Sequence, residues 1–198
     1  GERAFRADQL WNWLYVKGIS ELSGLNNISK YVINKINEQY YLSHLKVSKS
    51  LLSKDGTRKW LFKLEDGKEI ETVYIPDKNR GTICISSQVG CSLSCSFCHT
   101  GTMKLARNLS TSEILGQVMF VKNILKDWNN KSDKKKITNI VFMGMGEPLL
   151  NYDNVIKSIN VLTDQKGLAF SKRKVTLSTS GVVPKIIDFK EDSDINLA

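Results

Sequence analysis

The chain has little cysteine, and what it has is crowded: four residues in 198, all between positions 84 and 98. Thiols confined to one stretch cannot staple distant loops, which excludes a disulfide framework of the secreted kind. A reducing compartment, most simply the cytoplasm, and metal chemistry are the expectation. No apolar run approaches the ~18–20 residues of a membrane span, and the opening residues lack the apolar core of a secretory signal. Acidic residues are in deficit as well, 20 against 29 Lys and Arg, for a net charge of +9. That balance suits a polyanionic partner such as RNA or DNA, although a Lys- and Asn-rich composition produces it too. Lys134-Lys135-Lys136 and Lys172-Arg173-Lys174 are its basic runs. A hydrophobic content of 41% with 25% charged residues is ordinary for a globular protein. The first residue is Gly, which suggests that the natural start lies upstream.

Three regions follow from pattern. Residues 1–43 read as a helical accessory unit. Leu10, Trp13, Leu14 and Lys17 recur at helical spacing before Gly18, and Ser29 is placed to cap a second helix whose stripe is Val32, Ile33 and Ile36. Residues 44–80 read as a β-meander, with strands at 46–54, 57–64 and 68–75 joined by turns at Asp55-Gly56 and Asp66-Gly67. From 81 to 198 the pattern repeats strand, loop and helix. Strands are expected at 82–86, 137–143, 174–178 and 195–198, and helices at 111–128, 153–163 and 184–189. Alternating βα units predict a parallel sheet or barrel with its chemistry at the C-terminal ends of the strands. Four such strands cannot close a barrel. The expected fold is therefore α/β: an open, partial TIM-like βα barrel preceded by the helical unit and the meander. Alternation along 82–86 turns Ile83 and Ile85 toward the outer helices and Cys84 toward the interior, as it turns Thr176 and Ser178 inward.

Four constellations could carry chemistry. Cys91, Cys95 and Cys98 stand at CxxxCxxC spacing. A structural zinc or an electron-transfer cluster normally takes four protein ligands. Three thiolates on a four-iron cluster leave one iron open to a reactant, whereas a zinc knuckle would need His99 or Cys84 to complete it. Phe97 beside the last thiol could pack on a bound adenine or face the core. Second, Gly144-Met145-Gly146-Glu147-Pro148 follows a buried strand. Its glycines admit close approach of a ligand and its carboxylate suits a cationic amine. A phosphate cradle is disfavoured because Pro148 lacks an N–H and Glu147 repels anions. Read alone, the segment is equally a tight turn with a solvent-facing Glu. Third, the hydroxyls of Ser178-Thr179-Ser180-Gly181 could bind a ribose or a carboxylate. Fourth, Glu69 and Glu71 share a strand face that by itself reads as solvated.

Taken together these segments resemble the radical S-adenosylmethionine (SAM) superfamily. Within it, Glu71-Thr72-Val73-Tyr74-Ile75-Pro76, Cys84 to Cys91, Gly144 to Asn151, Arg173 to Gly181 and Phe5-Arg6-Ala7-Asp8-Gln9 are similar to the RlmN family. Those are dual-specificity RNA methyltransferases that act on adenine C2 in 23S rRNA and tRNA. The related Cfr enzymes, which modify C8, share many of these motifs, and a non-catalytic zinc-containing RNA-binding module is the remaining alternative. The resemblance implies a [4Fe-4S] cluster on Cys91, Cys95 and Cys98, and SAM held by Gly146, Glu147 and Ser178. It also implies Glu71 as proton acceptor, Cys84 as the thiol that resolves a methyl-cysteine-linked RNA adduct by forming a disulfide, and the basic runs as phosphate contacts. A flavodoxin or ferredoxin as electron donor, no membrane and a monomeric state complete the expectation. The family's methyl-carrying cysteine lies in a C-terminal loop, and no cysteine follows position 98 here. The chain is therefore expected to be an inactive fragment of the enzyme.

Overall fold

The structure is a computed structural model, and it describes residues 3–128 and 135–198. Lys134, one of the run at 134–136, lies outside the described residues.

The helical unit contains α1 (Phe5–Tyr15) and α2 (Lys30–Asn37). The Ser29 hydroxyl accepts the Val32 N–H as the α2 cap, as its residue type predicted. Leu22, Leu25, Ile28 and Val32 are buried together, with Leu10, Trp13, Ile33 and Ile36 packed around them. The unit also leans on the larger body. Trp128 fills the space beside Gly18, where a Cβ would lie 2.1 Å from its indole, and Gly18 holds a φ of 66°.

The meander is β1 (Lys46–Leu52), β2 (Arg58–Lys63) and β3 (Glu69–Asp77). Both Asp-Gly turns form. Gly56 and Gly67 take φ of 86° and 80°, and Asp55 and Asp66 each accept the N–H two residues on. The next strand, β4 (Arg80–Cys84), starts earlier than the sequence suggested and pairs antiparallel with β3, from Asp77↔Arg80 to Val73↔Cys84. On its other side β4 runs parallel to β7 (Asn139–Phe142), which is followed by β8 (Val175–Leu177) and β9 (Asn196–Leu197). Among the described residues, meander and parallel strands thus make one sheet in the order β1-β2-β3-β4-β7-β8-β9. Two short strands, β5 (Gln88–Val89) and β6 (Arg107–Asn108), form a separate ladder.

Three helices cover one face of the large sheet: α3 (Thr111–Leu125), α4 (Tyr152–Thr163) and α5 (Val183–Asp192). Ser110 and Glu113 form a reciprocal capping box at the start of α3. The helix stops at Leu125 rather than 128, because Lys126 turns left-handed with φ 53°. On the covered face Trp60, Phe62, Ile70, Ile83, Ile85, Ile140, Phe142, Val175 and Leu177 join Leu115, Val118, Val155 and Ile159 in one core. Burying these side chains is the main stabilising term, at roughly 1.5–3 kcal/mol each. Among the described residues the opposite face has no helical cover, and its residues are half-buried or exposed.

Candidate active site

Strands β4, β7 and β8 end on the same side of the sheet, and their following loops carry the constellations read from sequence. Register places the inward residues. Val73 pairs with Cys84, Cys84 with Val141 and Val141 with Thr176, so these side chains share the uncovered face. Glu71 lies two residues from Val73 and shares that face. It is half-buried, with Oε1 2.9 Å from the Lys59 ammonium. Cys84 is half-buried as well. Burial pushes its thiol up to about 11, against a smaller opposing hydrogen bond from the Met143 backbone.

The three-thiol loop is closed at its base by the β5–β6 ladder, with Gln88 opposite Asn108 and Val89 opposite Arg107. Arg107 anchors that base between the Asp66 carboxylate at 2.7 Å and the Glu113 carboxylate at 2.8 Å. Above it the Cys91 N–H donates to the Met103 carbonyl, and the Cys98 N–H to the Cys95 carbonyl at 3.1 Å. Gly90, at φ 76°, lies where a Cβ would come 2.2 Å from the Lys104 carbonyl oxygen, so only glycine fits the crossing. All three thiols are half-buried and unoxidised, and no disulfide is present among the described residues. Nor is any group of three His, Cys, Asp or Glu side chains there drawn together as for a metal ion. The donor set nevertheless suits iron–sulfur ligation: soft thiolates on one loop, with the Leu93 N–H already donating to the Cys91 sulfur at 3.4 Å. Phe97 is 91% exposed, so it is not a core aromatic.

The loop after β7 is built against residues 85–88. The Met145 N–H donates to the Ser86 hydroxyl at 2.9 Å, its carbonyl accepts from Ser87 and Gln88, and the Glu147 N–H donates to Gln88 Oε1 at 2.8 Å. Gly146 needs to be glycine twice over: its φ is 93°, and a Cβ would sit 2.4 Å from the Gln88 side chain. Glu147 is not solvent-facing, being only 3% exposed. Its Oε1 accepts the Leu149 N–H at 3.0 Å, and its Oε2 accepts both the N–H and the hydroxyl of Ser180 at 2.9 Å. No cation lies within 4 Å of this buried carboxylate among the described residues. A buried carboxylate bonded only by neutral donors is a setting that suits a cationic amine. A carboxylate offers about four acceptor positions, of which three donors here leave one.

Ser178, which follows β8, is half-buried. The serine that grips Glu147 is Ser180, two residues further on, where strand alternation has lapsed and no periodicity could assign its direction. Gln117 was also missed. It sits in α3 at a position that reads as part of a helix face, yet its carboxamide is fully buried and bonds Thr72 and both backbone groups of Ser86.

The basic runs fall elsewhere. Lys135 and Lys136 precede β7 and Lys172, Arg173 and Lys174 precede β8, which places them at the N-terminal ends of the parallel strands, away from these loops. The Lys172 ammonium is paired with Asp194 at 2.7 Å.

Comparison with known proteins gives the family. A profile of the Radical SAM superfamily matches residues 85–195, and one of the Ribosomal RNA large subunit methyltransferase N-terminal domain matches residues 1–42. The chain is 48% identical to a protein named dual-specificity RNA methyltransferase RlmN from Rhizorhabdus wittichii, over 98% of the chain and 48% of that protein. It is 47% identical to the RlmN of Rhodopseudomonas palustris over its whole length and 52% of that protein. A crystal structure of a radical SAM methyltransferase from Sphaerobacter thermophilus superposes with a TM-score of 0.87 at 35% identity, covering 98% of the chain and 56% of that structure. The chain thus spans about half the length of the curated relatives it matches. A three-thiol loop at the C-terminal edge of a parallel sheet, matched over residues 85–195, makes this chain a member of the radical SAM superfamily, similar along its length to the RlmN proteins.

Proposed function

We propose that this chain is the cluster-bearing part of an RNA methyltransferase that adds a methyl group to adenine C2 in 23S rRNA and tRNA. The observation that carries the reading is Glu147, a buried carboxylate without a cation, beside a loop with three thiols and one loop from Ser178. Cys91, Cys95 and Cys98 would hold the cluster, which when bound supplies the electron that cleaves SAM reductively. Glu147 accepts bonds from the SAM ammonium, carried to its place by the tight turn at Gly146, and Ser178 offers its hydroxyl to another part of the same molecule. Glu71 accepts the C2 proton of the adenine adduct. The Lys59 ammonium, 2.9 Å from its Oε1, holds the carboxylate in place on this face. Cys84, on the same face, is the thiol that resolves the adduct. Its half-buried setting keeps it protonated at neutral pH, so it must lose its proton as it attacks the partner sulfur; the S–S bond forms as that sulfur's bond to the transferred carbon breaks, its electron pair passing to the methylated adenine. No helix of the described residues is long and apolar enough to cross a membrane. A monomeric cytoplasmic enzyme fed by a flavodoxin or ferredoxin fits the reading.

The test is anaerobic reconstitution of this chain with iron and sulfide. A brown species of ~4 irons, with an electron paramagnetic resonance spectrum that SAM perturbs, supports the proposal. Glu147→Gln should keep the iron and lose the SAM effect. One tightly held zinc with no iron uptake would support the zinc module and defeat the proposal.

A further inference from the structure

The uncovered face of the meander is basic, and the basic runs that stand out in the sequence are not near it. Register puts Lys46 opposite Lys63, and Lys63 opposite Glu69, in one row across the sheet. The next inward row is Lys49, Leu61 and Glu71, after an irregularity at Ser48. The third is Leu51, Lys59 and Val73, which continues into Cys84. Four lysines therefore share a face with Glu71, in rows about 7 Å apart. They lie at the end of the sheet where the strand loops carry the thiols and Glu147, because Glu71 is level with the residues just past the end of β4. The acids on this face are already engaged: Glu71 by Lys59 at 2.9 Å and Glu69 by the Ser48 hydroxyl at 2.6 Å. Lys46, Lys49 and Lys63 are exposed, and among the described residues none has a carboxylate within 4 Å. Leu51, 49% exposed in the third row, adds apolar surface beside them.

We propose that this face is the platform for the RNA substrate: a single-stranded segment lies across β1 and β2 with its phosphates on Lys46, Lys49 and Lys63, and delivers its adenine toward Glu71. The inference rests on the RNA methyltransferase reading above and assigns the surface that the substrate uses. Charge complementarity selects the occupant. Three unpaired ammonium groups in adjacent rows of a rigid sheet match a phosphate backbone, and the exposed leucine suits unstacked nucleotides. Lys172, Arg173 and Lys174 lie at the opposite end of the strands and serve as the internal control.

The experiment measures binding of this chain to a fluorescein-labelled, adenine-containing single-stranded RNA of about 12 nucleotides by anisotropy, across a salt series. Each phosphate contact on a single strand contributes about −0.7 to the slope of log K against log salt. Changing Lys46, Lys49 and Lys63 together to Gln should flatten the slope by about 2 and weaken binding at least about tenfold near 0.1 M salt. All three are exposed strand positions, so the variant should fold; circular dichroism verifies it. The triple change at Lys172, Arg173 and Lys174 should leave the slope alone. An unchanged slope in the first variant, or an equal loss in the second, overturns the platform. If the parent chain binds RNA with unchanged slope in the first variant while iron uptake and the SAM response persist, the face is wrong and the proposed enzyme survives. A parent chain that binds no RNA at low salt defeats both the platform and the RNA substrate. A first variant that keeps its RNA slope but loses affinity for an acidic electron-transfer protein assigns the face to that partner instead and overturns the proposal.

Discussion

Replacing Gln117 by Met tests whether the site is held together by a single buried amide. In the register of β3 and β4 the pairs after Val73↔Cys84 would be Thr72↔Ile85 and then Glu71↔Ser86. The ladder stops before that second pair, and Gln117 bonds the Ser86 backbone instead. The Ser86 N–H donates to Gln117 Oε1 at 2.8 Å, the Ser86 carbonyl accepts from Nε2 at 2.9 Å, and the Thr72 hydroxyl donates to Oε1 at 2.8 Å. The Ser86 hydroxyl in turn donates to the Glu71 carbonyl at 2.6 Å and accepts the Met145 N–H. One side chain from α3 thereby sets the spacing between the strand of Glu71 and the loop of Glu147. Methionine matches the length and removes every bond, leaving two backbone groups and one hydroxyl unsatisfied in a fully buried place. Each costs about 1–3 kcal/mol, and the added apolar contact returns about 1–2 kcal/mol. Three such groups less that return leave a net loss of roughly 1–8 kcal/mol, centred at about 4, a large share of the ~5–15 kcal/mol of a typical domain. Urea unfolding followed by circular dichroism reads it as a midpoint shift of about 1–2 M. Thr72→Val, which removes one donor and keeps the shape, should cost about 1 kcal/mol, and its effect should largely vanish in the Gln117→Met background. A loss below about 1 kcal/mol, or full additivity of the two changes, would refute the hub.

Alkylation of Cys84, followed by mass spectrometry at stepped pH, should accelerate about tenfold per pH unit until near 11; a plateau below pH 9 would contradict the burial seen here. Gly146→Ala should destabilise by more than about 2 kcal/mol, through a positive φ and a collision with Gln88, and thermal melting of the variant measures it. Glu113 is pushed up by burial but pulled below its ordinary 4.5 by the Arg107 hydrogen bond and the Ser110 N–H, a net lowering. Its contribution is therefore complete above pH 4.5 and lost as pH falls through the depressed folded value. Arg107→Met should flatten that acid loss, so chemical denaturation from pH 5.5 to 3 that is equally steep in parent and variant would remove the ion pair from the account.

Much of this protein was legible from local pattern. The Asp-Gly turns, the Ser29 cap, the alternation that turns Cys84 away from Ile83 and Ile85, and the three-thiol loop all depend on residues close in sequence. Their physics is short-ranged: a left-handed glycine, a hydroxyl reaching an N–H three residues on, and the two-residue period of a strand. Family resemblance then joined segments that no local rule connects. What pattern could not give is where chain segments far apart in sequence come to rest against each other. Ser180 meets Glu147 across 33 residues, Gln117 bonds the Ser86 backbone from 31 residues away, and the meander continues into the parallel sheet through β3 and β4. The prominent basic runs fall at the far end of the strands, while scattered lysines of β1 and β2 gather on the face of Glu71. Burial and charge placement depend on the closed sheet and its helices, and an amide, a serine or a lysine carries no mark in sequence of the neighbour that tertiary packing will bring to it.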